Sequence, residues 1–96
     1  MREPKMNLME DGWHYKDLSV IYVERGKVIE YLYHTYSQGV VGFRLVNPIP
    51  AWNSKDTWHS IASSRVVQID EKQLNLDLAE MPHRCRTRLL ENKKYG

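Results

Sequence analysis

Cysteine is nearly absent from this 96-residue chain: Cys85 stands alone. An internal disulfide is therefore excluded, and folding does not call for an oxidising compartment. Glycine and proline are sparse, at five and four residues, and there is no internal repeat or low-complexity tract. No apolar run approaches the ~20 residues that a membrane-spanning helix needs. The opening Met1-Arg2-Glu3-Pro4-Lys5-Met6 lacks the apolar centre of a secretory signal. These absences predict a cytoplasmic protein without a membrane partner. Ligand-type spacings are missing too. His14, His34, His59 and His83 form no HxxxH pair, and there is no CxxC, so no metal is expected. Gly39-Val40-Val41-Gly42 has neither the lysine nor the strand-to-helix context of a phosphate loop. No cofactor is expected.

What is present fits one ordinary globular domain, with 42% hydrophobic and 27% charged residues. A chain this short buries only about two thirds of its unfolded surface, so its core is modest. The formal charge of +2 hides an asymmetry. Residues 1–81 hold nine Lys/Arg against eleven Asp/Glu, whereas residues 82–96 hold Arg84, Arg86, Arg88, Lys93 and Lys94 against Glu91. We therefore divide the chain into a mildly acidic body, 1–81, and a basic helix or tail, 82–96, that seeks an anionic surface.

The body is organised around Leu18 to Val46, which reads as three antiparallel strands. Val, Ile, Tyr and Phe suit a pleated, half-buried surface and dominate here. Ile29, Tyr31, Tyr33 and Thr35 alternate with Val28, Glu30, Leu32, His34 and Tyr36. Val41, Phe43 and Leu45 form a core set opposite Gly42 and Arg44, which suit an exposed or crowded face. Residues 28–36 also fit helical spacing, but three tyrosines with β-branched Val28, Ile29 and Thr35 are poor helix material. Arg25-Gly26 and Ser37-Gln38-Gly39 supply the tight turns, with glycine where positive φ is needed. Thr57–Ile61 and Arg65–Ile69 read as two further short strands. Residues 74–81 read either as a sixth, edge strand or as a helix, since Asp70-Glu71-Lys72-Gln73 resembles a helix start. His83 to Lys94 reads as a short helix with Cys85 and Leu89 on one face and Arg84 and Arg88 on another. The expected fold is mainly β (α+β): a small curved antiparallel sheet or a partly open barrel of SH3-like or OB-like size, with a short basic C-terminal helix.

Two segments are candidate contact surfaces. Asn47–Asp56 contains Pro48 and Pro50, which predict a stiff loop outside any central strand. It would present Ile49 and Trp52 as pre-ordered anchors, although Trp52 folded back over the sheet is the blander alternative. Asn47-Pro48, Ile49-Pro50 and Met81-Pro82 also permit slow cis/trans exchange in flexible segments, which makes a prolyl isomerase a candidate partner. In the tail, Arg84, Arg86, Arg88, Lys93 and Lys94 would meet phosphate or carboxylate, with Leu89 and Leu90 as apolar anchors in a partner's groove.

The chemistry of a reaction is not legible. Cys85 lies between two arginines, which would favour its thiolate, but no His–Asp or His–Asn arrangement is tied to it, and a packing cysteine is the simpler reading. Asp56 and His59 are close in sequence, as in many inert proteins. The chain is therefore expected not to be an enzyme.

The stretches GWHYKDLSVIYVERGKVIEYLYHTYSQGVVGFRLVNPIPAWN and HRCRTRLLENKKYG resemble the small accessory proteins of lambdoid phages, and among them the anti-RecBCD proteins. The resemblance rests on size, a lone cysteine, an aromatic β-rich body and an arginine-bearing end. It implies a non-enzymatic modulator that binds a host recombination nuclease–helicase in the host cytoplasm. None of the site residues named above is taken from it. The leading expectation is thus modulation of a nucleic-acid-processing enzyme by protein–protein contact. The alternative is direct DNA or RNA binding by a small barrel, with Tyr31, Tyr33 or Trp58 stacking on bases.

Overall fold

Arg25 and Gly26 both adopt positive φ, 55° and 75°, as the two-residue hairpin turn that matches strand twist requires. That turn joins β2 (Ser19–Glu24) to β3 (Lys27–Thr35). An analogous turn, with Asp17 at φ 54°, joins β1 (Gly12–Lys16) to β2. Tyr36, Ser37 and Gln38 lead from β3 into β4 (Gly39–Pro50), where Gly39 takes φ 81° and accepts a 3.1 Å hydrogen bond from Thr35 Oγ1. In this computed structural model residues 8–52 and 55–90 are described. After β4 come α1 (Lys55–Ala62), β5 (Val66–Gln68), α2 (Glu71–Glu80) and α3 (His83–Leu90).

The five strands form one antiparallel sheet in the order β1-β2-β3-β4-β5. The sheet is open, with β1 and β5 as its edges, so the curved-sheet reading holds and the barrel does not close. Among the described residues no helix is long and apolar enough to cross a membrane.

Three expectations are corrected. Thr57–Ile61 is not a strand but the centre of α1. Trp58 and Ile61 are three apart, so one helix face brings both onto the sheet, where they join the cluster of Ile21, Val23, Val28, Leu45 and Ala51. Thr57 is buried because its Oγ1 donates to Trp52 O at 2.6 Å. Tertiary packing thus overrides the β-branched composition. Second, Pro48 and Pro50 lie within β4 rather than in a loop, and both peptide bonds are trans. β5 pairs only with Phe43, Arg44 and Leu45, so beyond these β4 has β3 alone beside it. The register also shifts between Val28 and Glu30, which leaves Pro48 outside the regular ladder. Third, residues 74–81 form no edge strand. Asp70 caps α2, its Oδ1 accepting from Gln73 N at 2.8 Å, so the helix alternative is the one realised.

The two faces of the sheet are covered differently. Helices α2 and α3 lie on one face, over Val20 and Leu32, together with Met81, Cys85 and Leu89. The other face is covered by α1 at one end only. The shift at Ile29 lets neighbouring stretches of β3 serve both faces: Val28 and Tyr31 pack with the α1 cluster, Leu32 with the α3 cluster.

Candidate functional site

The half-covered face carries a ladder of rings. Tyr31 and Tyr33 are two apart on β3 and project to the same side. Their rings stack with centroids 5.3 Å apart and planes 27° apart. Phe43, the register partner of Tyr31 on β4, continues the ladder, 5.9 Å from Tyr33 and nearly parallel at 9°. Trp58 of α1 faces them across a groove of about 280 Å³, whose walls are completed by Ile61, Ala62, Ser64 and Val66. Lys16 of β1 places its ammonium 6.0 Å from the Trp58 ring centre. At that distance the cation is held loosely and remains available to an anion beside the groove.

The chemistry of this groove follows from its lining. Rings, aliphatic side chains and one serine offer stacking and apolar contact, with phenolic hydroxyls and one ammonium for orientation. That suits recognition of a flat group carrying negative charge nearby.

Tyr31, Tyr33 and Trp58 were each singled out in the sequence, and the fold brings the three together. Phe43 and Lys16 were not. Phe43 read only as a core position, because its pairing with Tyr31 depends on a register that periodicity does not supply.

The remaining expected contact residues are placed otherwise. Leu89 is fully buried against the sheet and offers no anchor to a partner. Arg86 is half-buried and its Nη2 donates to the carbonyls of Leu78 and of Met81, the latter at 3.5 Å, closing the end of α2. Arg88 is exposed, with its guanidinium 4.7 Å over the Tyr15 ring. Arg84 is exposed. Lys93 and Lys94 lie outside the described residues. Ile49 packs partly buried against the α1 cluster, and Trp52 is half-buried in an isolated bridge with Leu8. Neither is a protruding anchor, because the segment that carries them continues the sheet. Cys85 is fully buried; that burial pushes its thiol up, and Arg84 offsets this only in part. His83 and Thr87 contact each other at 3.2 Å, one turn apart on α3.

No family model, curated protein or solved structure matches this chain.

Proposed function

We propose that this chain is a non-enzymatic binding module that takes unpaired bases of single-stranded nucleic acid on its ring ladder. The observation that carries the reading is the Tyr31–Tyr33–Phe43 stack facing Trp58 across a groove that fits a flat ring. A base stacked on an aromatic side chain contributes about 1–3 kcal/mol. Lys16 lies where a phosphate next to such a base would pass.

Titrating a labelled single-stranded oligonucleotide against the protein tests this, with quenching of tryptophan fluorescence as a second reporter. Tyr33→Ala is expected to weaken binding by about tenfold or more. Lys16→Ala is expected to weaken it more modestly and to flatten its salt dependence by about one unit of slope. Equal affinities for the wild type and Tyr33→Ala would remove the proposal.

A second reading is favoured by one observation: Arg84 and Arg88 of α3 are both exposed, Arg88 with its guanidinium over the Tyr15 ring. They would serve contact with a host recombination nuclease–helicase in the cytoplasm, as the phage-accessory resemblance implies. Affinity capture from a bacterial lysate, with and without nuclease treatment, separates the two. A protein retained after nuclease and lost with Arg84→Glu supports the second reading.

A further inference from the structure

One acid of the central strand points into the covered side of the sheet. Glu30 is 4% exposed. Facing it is Asp77, 5% exposed and the buried residue of α2. The two carboxyls are within hydrogen-bonding reach. Two carboxylates in so dry a contact repel, whereas an acid and a carboxylate share one proton and attract. The hydrogen bonding fits the shared proton. Asp77 Oδ1 accepts from Gln73 Nε2 at 2.9 Å, while Oδ2 is buried without any other donor. A protonated Glu30 is the donor that Oδ2 needs.

The charges around the pair do not neutralise it. Arg44 of β4 places Nη1 3.1 Å from Glu30 Oε2, but its side chain is 59% exposed, so water screens it. Glu80 of α2 adds negative charge. Tyr22 of β2 is opposite Glu30 in register, and His34 lies four residues along β3. Arg86 of α3 is turned to the carbonyls at the end of α2. Burial first, then the hydrogen bond and charge of Asp77, push Glu30 up to about 8 against the pull of Arg44.

At its C-terminal end α2 is held by buried Met81 and by Arg86 on its last carbonyls, and the rest of the helix is held less firmly. Leu74 and Leu78 are only partly buried, and Leu76 is 51% exposed. We propose that α2 is a proton-gated latch, lying on the sheet while Glu30 and Asp77 share one proton and lifting from β3 when that proton leaves. On release the Glu30 O–H bond breaks, the proton passes to solvent, and two facing carboxylates remain. Ile69, which precedes the α2 cap and packs over Gly42, stays tied to β4 by its N–H on Gly42 O at 3.0 Å and marks where the lifting ends.

Amide hydrogen exchange followed by NMR between about pH 5 and about pH 9 reads the latch, with rates corrected for intrinsic exchange. In the wild type, protection of the α2 amides is expected to fall by up to about tenfold for each pH unit between 4.5 and about 8 and to level off above that, while β2, β3 and β4 stay protected. Glu30→Gln keeps the hydrogen bond to Asp77 without a releasable proton, so α2 should remain protected throughout. Asp77→Asn should do the same and serves if the first variant folds poorly. Equal loss of α2 protection in wild type and both variants would overturn the latch. So would simultaneous loss across β2–β4, which would mean that the pair holds the entire sheet.

Discussion

A methyl group added at Gly42 would sit 2.7 Å from Ile69 Cδ1, 3.1 Å from its Cγ1 and 3.3 Å from Leu32 Cγ. Ile69 would have to move, and Leu32 is fully buried and has no room to yield. Gly42→Ala is therefore expected to destabilise the fold by about 1–3 kcal/mol in urea unfolding. An unchanged midpoint would show that Ile69 swings clear without loss. Arg25 presents the converse case, a non-glycine at φ 55°. Arg25→Gly relieves that strain in the folded hairpin but loosens the unfolded chain, so a net change below about 1 kcal/mol is expected. Cys85 is a third single position with a definite expectation. Its burial and its raised thiol pKa make it inert, so an alkylating reagent should label it only as fast as the domain opens. Rapid labelling under native conditions would contradict its place on the buried face of α3.

The helices show where sequence reading succeeds and where it stops. Spacing alone placed Cys85 and Leu89 on one face of α3, and they are indeed its two buried residues. What lay beyond reach was the surface that this face meets. Leu89 belongs to a core built by β2, β3 and α3, which is a tertiary fact. Leu89→Ala is accordingly expected to lower stability by about 2–5 kcal/mol, whereas removal of a mere docking anchor would leave it unchanged. Arg84→Ala should leave the melting temperature within about a degree, since surface changes are usually small. Arg86→Ala should lower it by several degrees, because Arg86 satisfies the last carbonyls of α2. The meander was legible because Arg25-Gly26 and Gly39 punctuate alternating apolar runs, a signal local in sequence. Trp58 and Ile61 misled because five residues, two of them β-branched, carry no decisive period, and their helix is selected by the sheet it covers. The prolines misled for a related reason: whether a strand end has one neighbour or two is a property of the sheet, not of residues 47–50. The ring ladder was half legible. Tyr31 and Tyr33 share a face by alternation alone, but Phe43 and Lys16 join them only through register and α1.

The two faces of the sheet divide the labour of the domain. One, closed by α2 and α3, holds one buried cluster with its proton-sharing acid pair; the other, left partly open by α1, holds a second buried cluster and, beside it, the rings. A change at Tyr33, which belongs to neither buried cluster, should thus affect binding with little loss of stability, and changes at the buried face of α3 the reverse. The pH dependence of global stability follows from the closed face. Glu30 has an ordinary value of 4.5 when unfolded and is pushed up to about 8 when folded. Between those values the folded state keeps a proton that the unfolded chain releases, so stability falls as pH rises. The slope cannot exceed about 1.4 kcal/mol per pH unit for one proton, and it vanishes once both states have lost it, above 8. Urea unfolding at a series of pH values should show this decline in the wild type, opposite in sign to the usual behaviour of an ion-paired carboxylate. Glu30→Gln should flatten it and leave the protein more stable than wild type at the alkaline end. Rising wild-type stability across the same interval would mean that Arg44 outweighs burial and Asp77, and that the pair is ionised in the fold.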